Sequence, residues 1–486
     1  MGDTIHVRLD SLSSVPIKGA EVRASVGAPS GPRPGVDGRN FFIETFGCQM
    51  NVHDSEKVVG VLAGRGYSQV ESIAEADFVF YNTCSIREKA AQKVFSRLGE
   101  FRGSGQKKVI GVLGCLAQQE GEDIFERAPW VSLVCGSASY SKLPELLTQV
   151  ESGGRRVMGL DLDTEATFET EITRRDNPFR AYLTIIEGCD YACSYCVVPH
   201  TRGPERSRRS AAVLAEVRQL AELGYSEIQL LGQTVNSYRD PSAAGFSFAQ
   251  LLREVAVVGG IQRVRFTTSH PNDFGQDIVD AIEEVPEICN HVHLPVQSGS
   301  SRILKAMLRT YTREEYLEKI RMIRAAKREI AITTDIIVGF PGETETDFEE
   351  TLSLLNEVGY DGVYSFTYSP RPNTPARDMV DSISEPAKAA RHTVLQDRQR
   401  GIQVAYNETL VRREFDVLVD SQHRSKSGQE PGQWSGRTSC NRIVNFGAPA
   451  APGAFGASGE GNLLGRYVKV RVQRGGQYSL VGSVVS

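Results

Sequence analysis

The stretch Glu187-Gly188-Cys189-Asp190-Tyr191-Ala192-Cys193-Ser194-Tyr195-Cys196 constrains this chain more than any other. It follows Ala181 to Ile186, an apolar run with β-branched residues that predicts a strand, so the cysteines leave the carboxyl end of that strand and can face one another. Three thiolates on one loop can hold three irons of a four-iron cube and leave the fourth iron open to a substrate, whereas a closed electron-transfer cluster takes a fourth cysteine. With His200 the same residues also spell a compact Cys₃His set of the kind that binds structural zinc. Spacing alone leaves both readings open.

At 486 residues, 40% of them hydrophobic, the chain is long enough for two or three domains with cores of their own. No apolar run approaches membrane-spanning length, and the start lacks the basic-then-apolar order of a secretory signal. A cytoplasmic protein without a membrane partner is expected. Nine cysteines, an odd number, argue for metal or redox chemistry over disulfides. A formal net charge of -5 argues against a surface that coats nucleic acid generally, so any RNA contact must come from local basic patches.

Residues 1–38, with Pro16, Pro29, Pro32 and Pro34 among glycines and serines, predict a disordered leader. A repeated strand, cysteine and helix order then fills a first domain over 39–155. Strand 41–45 precedes Gly47-Cys48-Gln49-Met50-Asn51 and a helix from about Asp54; strand 77–81 precedes Asn82-Thr83-Cys84 and a helix from about Arg87; strand 108–113 precedes Gly114-Cys115 and a helix from about Gln119. Serial βα units predict a doubly wound parallel sheet, whose strand-to-helix loops gather at the carboxyl edge where ligands bind. Cys48, Cys84 and Cys115 each occupy that loop and form a second candidate trio of thiolates. Cys135 ends a fourth apolar run, and spacing does not exclude it as a ligand. A linker is read over about 151–180, acidic from Asp161 to Glu171 and then basic at Arg174-Arg175.

Over 175–404 strand and helix alternate again, with strands at 181–186, 227–231, 263–267, 291–295, 332–338 and 362–367, predicting a (β/α)₆ partial barrel. Polar motifs follow these strands, among them Gly232-Gln233-Thr234-Val235-Asn236, Pro295-Val296-Gln297-Ser298-Gly299-Ser300 and Gly339-Phe340-Pro341-Gly342-Glu343. They would line the barrel mouth. The loop Arg202 to Arg209, with Arg206, Arg208 and Arg209, reads as a solvated charged face or as a phosphate contact. After a helix near 387–405, residues 405–486 show short strands at 414–419, 441–446, 467–472 and 479–485, predicting a small β-barrel. Basic side chains outnumber acidic ones there, and Arg437, Arg442 and Lys469 are candidate RNA-backbone contacts. Gly447 to Gly461 reads as a flexible loop insertion.

From Phe41 onward these motifs, in this order, resemble the tRNA methylthiotransferases of the MiaB type within the radical S-adenosylmethionine (SAM) superfamily. The residues that carry it are Gly47 to Asn51, Asn82-Thr83-Cys84-Ser85-Ile86-Arg87-Glu88, Gly114-Cys115, the Cys189, Cys193 and Cys196 trio running into Val197-Val198-Pro199, Leu231-Gly232-Gln233, His293 to Ser300, and Thr334 to Glu343. The resemblance implies an N-terminal methylthiotransferase domain, a radical SAM barrel and a C-terminal TRAM domain. It implies that Cys189, Cys193 and Cys196 bind a [4Fe-4S] cluster that engages SAM, and that Cys48, Cys84 and Cys115 bind an auxiliary [4Fe-4S] cluster carrying the sulfur to be inserted. Cys135 is then no ligand. Gln233, Asn236, Gln297 and Gly339 are the expected SAM contacts, and a second SAM supplies the methyl group. The implied substrate is N6-isopentenyladenosine beside the anticodon, thiomethylated at C2, which makes the tRNA anticodon stem-loop a partner. A flavodoxin-type electron donor, an unidentified sulfur donor and a monomeric enzyme complete the expectation. Thr234, where the family usually has asparagine, His200, where an aromatic is common, and the long 447–461 loop depart from the pattern. Sister branches modify a ribosomal-protein aspartate or a threonylcarbamoylated adenosine, and the wording around Cys48 and Cys84 favours the tRNA branch. A zinc-stabilised RNA-binding module is the non-enzymatic alternative.

Overall fold

The computed structural model describes residues 39–85, 88–103, 108–162, 173, 175, 177–242, 245–423, 433–447 and 462–485. The expected leader, Ile86-Arg87, most of the acidic run, Arg174 and most of the 447–461 insertion lie outside the described residues. Two compact units form, one from residues up to Asp176 with Glu187–Tyr191 and Cys196–Arg206, the other from Asn177–Ile186, Ala192–Tyr195 and Ser207 onward.

The first unit is built on strands β1 (Asn40–Phe46), β2 (Ser68–Gln69), β3 (Phe78–Thr83), β4 (Val109–Leu113), β5 (Leu133–Cys135) and β6 (Val157–Gly159). They pair in parallel in the order β2-β1-β3-β4-β5-β6. Alternate side chains feed opposite faces, as a period of two requires. Phe41, Phe78, Phe80 and Leu133 pack on α1 (Gln49–Ala63) and α5 (Leu143–Glu151). Val79, Tyr81, Ile110, Val112 and Val134 pack on α2 (Glu88–Gly99), α3 (Cys115–Glu120) and α4 (Asp123–Arg127). The sheet is therefore doubly wound. Two details correct the sequence reading: α1 begins at Gln49 and α3 at Cys115, several residues earlier than expected. The reason is local at α1, where Cys48 takes the extended N-cap conformation and Asn51 caps back onto it. β2 and β6 were not expected; they are edge pieces too short for a periodic signal, and β6 lies in the segment read as linker.

The two-residue strands β8 (Ile186–Glu187) and β9 (Arg206–Ser207) bracket the cysteine loop in the chain, after β7 (Arg180–Thr184). Helix α6 (Val198–Arg202) follows Cys196 and belongs to the first unit. In the second unit β7 is joined by β10 (Glu227–Leu231) and β11 (Arg263–Phe266), giving the parallel order β11-β10-β7. A companion sheet runs β12 (His291–His293), β13 (Ala331–Val338) and β14 (Gly362–Thr367). A parallel bridge between Val264 and Ile288 and a bond from Ser269 N–H to the His293 carbonyl (3.1 Å) join the two halves into one six-stranded partial barrel. Helices α7 (Ser210–Glu222), α8 (Phe248–Ala256), α9 (Gln276–Glu284), α10 (Ser301–Ala306), α11 (Arg313–Arg324) and α12 (Glu345–Val358) alternate with these strands. Their apolar faces and the strands share one core that includes Leu183, Ile228, Val264, Val292, Ile332 and Leu355.

The 25-residue α13 (Glu385–Thr409) leads to β15 (Glu414–His423), β16 (Gln433–Thr438), β17 (Ile443–Phe446), β18 (Tyr467–Gly475) and β19 (Ser479–Val484). These close into a barrel in the order β15-β16-β17-β19-β18, the architecture expected of a TRAM domain. β16 escaped the sequence reading because Ser435 and Gly436 depress strand propensity; pairing on both sides holds it in place. Within this unit Arg263 donates to the carbonyls of Arg437 and Asp416, and Arg265 to those of Thr438 and Ser439, pinning the small barrel to β11. Among the described residues no helix is long and apolar enough to cross a membrane.

Candidate metal centres

β1, β3 and β4 are adjacent, and their register pairs Phe46 with Thr83 and Asn82 with Leu113. Cys48, Cys84 and Cys115 follow these strand ends and so lie on one carboxyl edge. The close fit between the loops is visible at Gly47, where a Cβ would stand 2.7 Å from that of Cys84 at a φ of +145°, so only glycine is accommodated. Cys84 N–H donates to the Phe46 carbonyl (3.0 Å), and Asn82 ties the edge to α1 by donating to the Asn51 carbonyl (2.9 Å) and Ser55 Oγ (2.8 Å). Asn51 Oδ1 accepts from Cys48 N–H at 3.2 Å.

Cys115 is buried, and burial pushes its thiol up, against the pull of Arg202. Arg202 Nε donates to Cys115 Sγ at 3.2 Å while its other nitrogens grip the Asp54 carboxylate. Glu187 lies 3.8 Å from both Arg202 and Lys57. Neither Asp54 nor Arg202 was expected at a site; a lone acid on a helix and an arginine in a basic loop carry no sequence signal for burial.

Beside this edge Asn51 Nδ2, Thr83 Oγ1, Ser85 Oγ and Tyr140 OH are buried and find no hydrogen-bond partner among the described residues. Four unmet polar groups beside three thiols suit a bound group with many sulfur acceptors, since buried donors are otherwise satisfied. The donor set therefore fits an iron–sulfur cluster. Cys135 differs: it is still inside β5, paired with Leu113 and Gly159, and its thiol points to the carbonyls of Gly136 and Ser139 at 3.6 Å. Burial pushes that thiol up to about 12, which keeps it protonated.

In the loop from Cys189 to Cys196, Cys189 and Cys196 belong to the first unit and Cys193 to the second. In the first, Gly188 has φ +79° and a Cβ there would fall 1.9 Å from the Pro204 carbonyl oxygen, so the turn into Cys189 demands glycine. Cys189 N–H donates to the Gly203 carbonyl (3.2 Å), and Cys196 Sγ accepts from Val198 N–H (3.5 Å). In the second, buried Cys193 Sγ accepts from Arg309 at 3.4 Å, and Arg309 also donates to Tyr311 OH (2.8 Å) and the Pro295 carbonyl (3.0 Å). Ser194 is fixed by bonds to the carbonyls of Met307 and Ala306. Among the described residues no group of three or more His, Cys, Asp and Glu side chains is placed to hold a metal ion.

The remaining expected site residues divide sharply. Asn236 is buried and both ends of its amide bond the backbone of His270, at 2.8 and 2.7 Å, which holds that loop. Gln297 adopts φ +75° while its backbone bridges Asp335 and Ile337, and Gly339 makes room for Lys388, whose Cγ would meet a Cβ at 2.4 Å. Gln233 stays half-buried after β10. Of the basic candidates, Arg209 and Lys469 are exposed. Arg208 is buried against Glu216 (2.5 Å), and Arg442 is held by Asp361, so each of these guanidinium groups already has a carboxylate partner inside the fold. Arg206 lies 3.5 Å from Glu187 and Arg437 lies 3.6 Å from Asp420.

Residues 40–136 match the model of uncharacterized protein family UPF0004, and residues 183–355 that of the radical SAM superfamily. The chain is 60% identical over 448 residues to the tRNA-2-methylthio-N(6)-dimethylallyladenosine synthase of Solibacter usitatus (strain Ellin6076), covering 92% of this chain and 98% of that relative. It is 55% identical over 452 residues to the protein of the same name from Koribacter versatilis (strain Ellin345), covering 92% and 99%. Among solved structures it is similar to TsrM, a radical S-adenosylmethionine methyltransferase from Kitasatospora setae solved with cobalamin and a [4Fe-4S] cluster. The TM-score is 0.51 at 16% identity over 70% of this chain and 74% of that one, a likeness of fold.

Proposed function

Because this chain belongs to the tRNA-2-methylthio-N(6)-dimethylallyladenosine synthase family, with a radical SAM domain at its centre, we propose that it thiomethylates C2 of N6-isopentenyladenosine beside the anticodon of tRNA. The observation that carries this reading is the edge where Cys48, Cys84 and Cys115 end three adjacent strands beside unmet polar groups. A radical SAM enzyme of simpler chemistry needs only the CxxxCxxC trio; a second trio supplies a place for sulfur.

Cys189, Cys193 and Cys196 would hold the first cluster and Cys48, Cys84 and Cys115 the auxiliary one. When bound, these groups supply reductive cleavage of SAM to a 5′-deoxyadenosyl radical and the sulfur that enters the base. An aromatic C2–H is too weakly acidic for any side-chain base, which is why cofactor chemistry is required. The protein's own contribution is placement: Arg309 orients Cys193 from the barrel wall, Arg202 orients Cys115, and Gly188 and Gly47 permit the close backbone turns. A splayed anticodon-loop base is the form in which single-stranded RNA is read, and exposed Arg209 and Lys469 remain as contacts to its phosphates. A second SAM gives the methyl group, a flavodoxin-type protein the electrons, and the enzyme works as a cytoplasmic monomer.

Anaerobic purification with metal analysis should return about eight irons per chain for two clusters. Nucleoside mass spectrometry of tRNA from cells with and without the gene should show the methylthio group on isopentenyladenosine only when the gene is present. A methylthio group lost from threonylcarbamoyladenosine or from a ribosomal protein instead would assign the chain to a sister branch.

A further inference from the structure

Arg202 sits in an arginine-rich stretch that reads as solvent-facing, yet the fold leaves it 4% exposed. A guanidinium does not shed its proton on burial, so its charge must be met by neighbours. Asp54 meets it through two nitrogens of the planar fork, and the third, Nε, points to Cys115 Sγ at 3.2 Å. Glu187 stands 3.8 Å away and is shared with Lys57 and, at 3.5 Å, with Arg206. All of these groups lie in the first unit. Their positions in the chain are telling: Asp54 and Lys57 are on α1, which begins just after Cys48; Glu187 precedes Cys189 by two residues; α6, which ends in Arg202, begins two residues after Cys196 and packs on α3, whose first residue is Cys115.

We propose that Arg202, clamped by Asp54, is a positioning residue that sets the orientation of Cys115 and the charge felt at the auxiliary centre. The proposal rests on the reading of Cys115 as a cluster ligand. A cationic donor to a coordinating sulfur stabilises the reduced, more negative cluster and raises its potential; the anion behind the donor tempers that effect. Lysine cannot substitute, because one ammonium cannot serve the carboxylate and the sulfur in the same geometry.

The test uses the full-length reconstituted protein as R202Q, R202K, D54N and C115A, read by iron content, electron paramagnetic resonance and redox titration of each centre. The expected result is an auxiliary potential that moves negative in R202Q and positive in D54N, with R202K between wild type and R202Q, while the other centre keeps its spectrum. Opposite signs are the fingerprint, since loosened packing would move both variants the same way. Shifts of the same sign, or an unmoved auxiliary potential in both R202Q and R202K, would overturn the proposal. C115A separates the two levels: retention of full iron would sink the ligand reading itself, whereas loss of the auxiliary iron with unmoved potentials in the arginine and aspartate variants would sink only the positioning role.

Discussion

The two cysteine trios solve one problem by different routes. Cys189, Cys193 and Cys196 share one short stretch of the chain, and the local demand is a tight turn at Gly188. Cys48, Cys84 and Cys115 come from three βα units and depend on the register of three strands. Each trio contains a buried cysteine that accepts from a buried arginine, yet the charges differ. Arg202 is neutralised by Asp54, whereas among the described residues no carboxylate lies within ion-pair distance of Arg309, which spends its donors on a tyrosine hydroxyl and a carbonyl. Local assembly thus leaves the cation bare beside Cys193, and assembly by the sheet brings a compensating acid from α1.

The largest test of this contrast removes one thiol from each trio. Cys193→Ala should abolish both SAM cleavage and nucleoside product, whereas Cys115→Ala should keep the cleavage and lose the product; each should lower iron from about eight to about four per chain. Iron analysis with product mass spectrometry reads both, and identical phenotypes would break the division of labour. Next come the glycines. Gly188→Ala forces a side chain into a left-handed turn and onto the Pro204 carbonyl, and Gly47→Ala onto Cys84; each should cost about 1–3 kcal/mol of strain and release iron only from its own trio.

A smaller effect concerns acid. His270, buried near Arg309, has its imidazole held down to about 2 by burial first and by that cation second. Between about pH 2 and the ordinary value near 6.5 the unfolded chain binds a proton the folded one refuses, so stability should fall as pH drops below about 6.5. Urea denaturation at pH 5 and pH 7 should show the loss in the wild type and a reduced difference in His270→Gln; equal pH sensitivity in the two would discount this residue. The smallest effect compares two serines. Ser194→Ala breaks a bond to the Ala306 carbonyl and should cost about 1 kcal/mol of stability without metal. Ser85→Ala removes a hydroxyl with no partner among the described residues, so it should leave the metal-free melting temperature unchanged and weaken iron retention instead.

Much of the site was legible because thiol spacing and βα repetition are both linear patterns. The CxxxCxxC loop needs no folding to be seen, and Cys48, Cys84 and Cys115 recur at equivalent points of successive units. Cys135 shows where this stops: it too closes a βα strand, and only its place inside β5, with the thiol turned to two carbonyls, separates it from the trio. The surroundings of two basic candidates were hidden for a related reason. Arg208 and Arg442 look like surface charge in one dimension, but their partners Glu216 and Asp361 arrive from a helix and a strand end that folding brings close. Asn236 looks like a ligand contact at a strand end, and its amide holds the turn at His270.

By itself the sequence determined which atoms could bind metal, the main alternation of strands and helices, and hence the three architectures along the chain, since periodicity and spacing are properties of neighbours. Tertiary structure alone decided which charges are buried, which are already paired, and which polar groups near the thiols are left unmet. Those outcomes depend on contacts between residues far apart in the chain, such as Asp54 with Arg202, and on the loss of water around them.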